Sequence, residues 1–181
     1  MVRDILAAAL LATFVSGGLS WCAFNSPNKY NYKVVKYIGA NDTWVPFVVR
    51  SCGDVHIALH PTKNVSSKFQ TEAYEIVLGG WGDQKSCIRK KLQGSCLASA
   101  KTPGIVSPRK FKYFWISWED GHIKVGRGNQ RDQHMFMDWK DKEPYDLKSL
   151  SVSSWPVVPG AAWRFPQFDK CSESAPSTLL G

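Results

Sequence analysis

The sequence predicts an all-β fold, an antiparallel β-sandwich or jelly roll of roughly ten strands. Three observations predict it. Apolar residues alternate with period two along most of the 181-residue chain. The alternating runs are short and divided by glycine- and aspartate-rich turns. No stretch of three or four turns carries helical periodicity.

Taken in order, strands are expected over 32–38 and 44–50, followed by DVHIALH, where Val55, Ile57 and Leu59 share one face and His56, Ala58 and His60 the other. In AYEIVLG, Tyr74, Ile76 and Leu78 alternate with Glu75 and Val77. The turn Gly79-Gly80-Trp81-Gly82-Asp83 leads into a strand over 84–90. Ser86 to Ala100 gives mixed signals, including room for a turn of helix. The run FKYFWISW, 111–118, is apolar on both sides, as in a central strand covered on both faces. Asp120-Gly121 is a hairpin signal joining it to Ile123 and Val125. Met135 and Met137 alternate with His134, Phe136 and Asp138, and strands over 147–153 and 161–165 complete the set.

Residues 1–20 read as a secretory signal: Arg3 precedes an apolar run from Ile5 to Val15, and small residues end at Ser20. That run is shorter than the roughly 20 residues a membrane span needs. An N-terminal arm over 21–30, a β-domain over 31–166 and a loose tail over 167–181 follow. Export puts five cysteines in an oxidising compartment. Cys22 and Cys171 are placed to clamp the termini, and Cys87 and Cys96 to staple a hairpin. Cys52 is left over, as a buried small hydrophobe or as a link to a second chain in a homodimer. Asn41-Asp42-Thr43 and Asn64-Val65-Ser66 are N-glycosylation triplets. The formal charge of +8 favours an anionic partner. It is scattered, however, and no nucleic-acid-reading motif accompanies it.

Glu75 lies in the middle of an apolar strand, with Arg89 on the next strand as its partner. The pair is either a structural ion pair or part of a sugar site beside Trp81. Carboxylate, guanidinium and an aromatic face together match the hydroxyls and the flat apolar side of a hexose. Trp81, embedded in glycines, is either core or an exposed stacking platform. His56 joins this candidate ligand-binding set. His56 and His60 have the same strand parity but stand about 13 Å apart, too far for one metal ion, and read as solvent-facing. Asp138, Asp141, Glu143 and Asp146 cluster without EF-hand spacing. No nucleophile elbow, metal motif or catalytic residue stands out.

The segments VRSCGDVHIAL (49–59), AYEIVLGGWGDQKSCIR (73–89), FWISWEDGHIKVGRG (114–128) and AWRF (162–165) together resemble the farnesoic acid O-methyltransferase domain family of arthropods and other invertebrates. The resemblance implies methyl transfer to farnesoic acid in sesquiterpenoid hormone synthesis. Enzymes using S-adenosylmethionine commonly rest on a doubly wound α/β domain, with a glycine-rich turn leading into a helix. Here Gly79–Gly82 leads into a second strand, and Gly126-Arg127-Gly128 into another. The chain therefore reads first as a secreted binding module for a glycan or other extracellular ligand, needing no cofactor. Methyl transfer and an extracellular protein-interaction domain are the alternatives.

Overall fold

The computed structural model describes residues 21–155 and 160–166. The signal segment, the C-terminal tail and Cys171 lie outside them. Twelve strands form two antiparallel six-stranded sheets. The first sheet runs in the order β1 (Trp21–Asn25), β12 (Ala162–Pro166), β3 (Trp44–Arg50), β8 (Lys112–Ser117), β9 (His122–Arg127), β10 (Met135–Lys140). The second runs β2 (Lys33–Tyr37), β11 (Ser149–Ser154), β4 (Val55–His60), β5 (Glu72–Gly79), β6 (Lys85–Lys91), β7 (Ala98–Lys101). The expected all-β sandwich is present, with two strands beyond the ten. β1 arises within the segment read as an arm and pairs with β12. β7 arises at the end of the ambiguous 86–100 stretch and pairs with β6.

The period-two pattern explains the core. Val55, Ile57 and Leu59 from β4, with Tyr74, Ile76 and Leu78 from β5, face the first sheet and are fully buried. Opposite them Phe47, Phe114, Trp163 and Phe165 pack ring against ring, with centroids 5.7–6.2 Å apart. Truncating one such aromatic costs roughly 3–5 kcal/mol. β8 is covered on both faces only in part: Phe114, Trp115 and Ile116 are buried, but Tyr113 is exposed. Trp115 lies against Gly126, where any side chain would clash with the indole. The Met135/Met137 alternation fails because a β-bulge falls between them, leaving Met137 buried and Met135 exposed.

The Cys87–Cys96 disulfide is present and ties β6 to the loop before β7. Cys52 is a free thiol and exposed, so the buried alternative for it does not hold. Asn41 and Asn64 are both exposed. Among the described residues no helix is long and apolar enough to cross a membrane.

Candidate functional site

The outer face of the second sheet, turned away from the sandwich core, carries the site. Strand parity sends His56 and His60 of β4, Glu75 and Val77 of β5, and Arg89 of β6 to this face. In an ordinary two-layer sandwich it would be wet. Here Tyr30 and Tyr32, from the segment before β2, fold across it, and Tyr32 packs with Ala58, Ala73 and Leu92. His56 and His60 are consequently buried rather than solvent-facing, which corrects the sequence reading. His60 bonds Ser151 at 2.7 Å, and burial lowers its pKa to about 4.

Glu75 is the hub. Fully buried, its carboxylate accepts bonds from Arg89 NH1 at 2.8 Å, the Gln93 backbone N–H at 2.7 Å, His56 Nδ1 at 3.0 Å and the Tyr32 hydroxyl. The β5–β6 register places Glu75 directly opposite Arg89, the pairing the sequence suggested. Burial by itself would raise the Glu75 pKa; His56, Tyr32 and Arg89 more than offset this and hold it at about 2. The far side of the His56 ring, Nε2, meets Asp54 Oδ1 at 3.0 Å. Burial disfavours a charge on His56, but bonds to both carboxylates outweigh it and raise its pKa.

Above this network lies a cleft of about 350 Å³ lined by Tyr30, Asp54, His56, Trp81, Arg89 and Trp155, among others. Three of the four sequence-proposed ligand residues, His56, Trp81 and Arg89, line it, and the fourth, Glu75, anchors two of them from beneath. Trp81 is half exposed, so it is no core residue. Its ring lies 4.5 Å from Lys85 Nζ and 5.5 Å from the Arg89 guanidinium. Tyr30 stacks on Trp155 with centroids 4.8 Å apart and meets His56 edge-on at 5.0 Å.

The cleft is also where the backbone is strained. Tyr30, Asp54 and Trp81 have φ of 58°, 44° and 54°, in the left-handed region that costs a non-glycine residue roughly 1–2 kcal/mol. Residues Gly80–Asp83 form one turn in which Trp81 and Gly82 are left-handed, swinging the indole out over β6.

Sequence reasoning missed Tyr30, Tyr32 and Trp155 as site residues. The tyrosines' i, i+2 spacing in NKYNYK was a faint signal, and nothing marked Trp155. The acidic residues near 138–146 do not converge on a cation: Asp141 bonds the Tyr74 hydroxyl at 2.6 Å and Lys90 at 2.8 Å. Among the described residues no group of three His, Cys, Asp or Glu side chains is placed to hold a metal ion.

The glycine-rich turn does not fit S-adenosylmethionine. A Cβ on Gly79 would come within 2.7 Å of Asp83 Oδ1 and 2.8 Å of Val106 Cγ2, so the protein's own side chains fill that space. No helix N-terminus follows, since β6 begins at Lys85.

Comparisons place the chain among known proteins. It is 32% identical over 108 residues to Uncharacterized protein 5 of the abalone Haliotis asinina, a match spanning 60% of each chain. The galectin LEC-6 of Caenorhabditis elegans shares the fold, with a TM-score of 0.51 and 10% identity over 81% of this chain and 96% of that one. The exoplasmic/lumenal domain of VIP36 aligns with a TM-score of 0.47 and 11% identity over 86% of each chain. Residues 22–168 match the family described as farnesoic acid O-methyl transferase, and the chain belongs to that family.

Proposed function

We infer that this protein is an exported carbohydrate-binding module and that the cleft on the outer face of its second sheet is the sugar site. One observation carries the reading. Three aromatic rings, Tyr30, Trp81 and Trp155, surround a carboxylate, an imidazole and a guanidinium whose positions are fixed by the buried Glu75. A hexose needs that combination: a flat apolar face to stack on and rigid donors and acceptors for its hydroxyls. Strained backbone at Tyr30, Asp54 and Trp81 supports a functional reading, because such strain concentrates at ligand sites. The lectin-like fold is consistent with it and carries no ligand identity.

The signal-like residues 1–20, the disulfide and the exposed sequons at Asn41 and Asn64 support export and glycosylation. The exposed thiol of Cys52 favours a second reading, a covalent homodimer. On a non-reducing gel that reading requires a doubled mass, abolished by Cys52→Ser.

The deciding experiment is a glycan array probed with glycosylated, folded protein. Binding to a defined set of glycans, lost in Trp81→Ala, is expected; silence across the array contradicts the reading. The methyltransferase activity in the family's description predicts saturable S-adenosylmethionine binding, and calorimetry with the pure protein is expected to be flat.

A further inference from the structure

Charge around the cleft is unevenly compensated. Within the network, Asp54 and Glu75 are matched by His56 and Arg89. Along its β6 rim the balance fails. Lys85 and Lys101 are directly opposed in the β6–β7 register, an arrangement of like charges that destabilises a strand pair. Among the described residues neither lysine has a carboxylate within ion-pair distance, although Lys91, further along β6, faces Glu72. Asp83, the nearest acidic residue in the chain, turns to the backbone N–H groups of Ile105 and Val106.

Arg89 tells the same story independently. Its guanidinium lines the cleft and gives NH1 to Glu75, but its Nε is buried with no hydrogen-bond partner. A guanidinium whose donors are only partly used is a poor structural device and a good acceptor of a planar or tetrahedral anion. Lys85 and Arg89 both lie within cation–π distance of Trp81, so the uncompensated charge sits beside the indole that would carry a sugar ring.

We propose that the cleft takes an acidic glycan, with the carboxylate or sulfate of the sugar held at the Arg89–Lys85–Lys101 rim while its ring lies on Trp81. This rests on the carbohydrate reading and narrows its ligand class. Asp54, committed through one oxygen to His56, is left to accept a ring hydroxyl at the other end of the cleft.

The test is calorimetry at constant salt with two matched pairs: trigalacturonate against its neutral methyl ester, and sulfated lactose against lactose. The first pair reads a carboxylate, the second a sulfate. At least one acidic member is expected to bind about tenfold tighter than its neutral partner. Lys85→Ala is expected to remove roughly three- to tenfold of that advantage and to leave neutral binding unchanged. Lys112→Ala, which deletes the same charge from the first sheet, is expected to leave both unchanged. Arg89→Lys keeps an ion pair to Glu75 but loses the fork, so it too lowers the acidic advantage while the melting temperature reports folding. Acidic and neutral members binding equally through Trp81 would overturn this proposal and leave the carbohydrate reading standing. Equal losses in Lys85→Ala and Lys112→Ala would also overturn it, as an effect of net charge alone. No binding by any of the four probes, with an array that is also silent, would remove both.

Discussion

Two clusters of charged residues sit on opposite sheets and differ in what surrounds them. On the second sheet, Glu75, His56, Asp54 and Arg89 interlock over a fully buried carboxylate, with strained backbone and aromatic rings above. On the first sheet, Glu119, His122, Lys124 and Arg131 line a smaller hollow of about 150 Å³. There Lys124 pairs with Asp132 at 3.0 Å, His122 with Asp138 at 2.8 Å, and Arg131 with Glu119, carboxylates that are about half exposed. Both clusters are rich in charge, and only one is built as a site. Exposed pairs cancel one another in water and are worth little. A buried carboxylate that fixes a ring and a guanidinium at the floor of an open cleft holds polar groups where a ligand can use them.

The sharpest break in the comparison is expected from Glu75→Gln. It removes the charge that Arg89 and His56 face in a buried setting, and stability measured by urea unfolding should fall by about 3–5 kcal/mol. Glu119→Gln, its counterpart on the other sheet, should change stability by less than about 1 kcal/mol.

Acid distinguishes the sheets next. His60 titrates near 4 in the folded protein against an ordinary value of 6.5, so the unfolded chain takes up its proton first as pH falls. Stability is therefore lost between pH 6.5 and 4, by about 3 kcal/mol from this one group. Glu75, with its pKa lowered to about 2, adds a further loss as pH falls from 4.5 toward 2. Thermal melts across this range should show the decline, and His60→Gln should flatten its upper part.

Smaller in stability but larger in function is Trp81→Ala. The indole is half exposed, so unfolding should shift by no more than about 1 kcal/mol while glycan affinity drops at least about tenfold. Arg131→Ala on the first sheet should alter neither beyond about 0.5 kcal/mol. Glycan affinity lost in Arg131→Ala and kept in Trp81→Ala would invert the assignment of the two clusters.

How far the sequence carried the site follows from distance along the chain. Glu75 and Arg89 share one hairpin, so their pairing was readable from strand parity and turn length. Trp81 stood out because glycines surround it, though whether it was core or exposed depended on the left-handed dihedrals of its turn. Tyr32 meets Glu75 across 43 residues, and Trp155 meets Tyr30 across a still longer stretch, with no local pattern to announce either contact. The histidines were misjudged for the same reason. Period two correctly assigned them to the outer face, but a face is exposed only if nothing folds over it, and Tyr32 does. The two unexpected strands are an edge strand of mixed character, WCAFN, and a four-residue strand of small and polar side chains, ASAK. Neither alternates strongly enough to be seen before its partner is known. The bulge at Met135 is likewise a property of the pairing rather than of the strand.

The most direct test is an amide and indole NMR titration of the glycosylated protein with the strongest glycan from the array. Saturable shifts at the Trp81 and Trp155 indole N–H groups and at the Tyr30 and Asp54 amides are predicted, with Lys124 and Arg131 unmoved. Saturable shifts gathered around Lys124 and Arg131 instead, with the four cleft signals unchanged, would contradict the account.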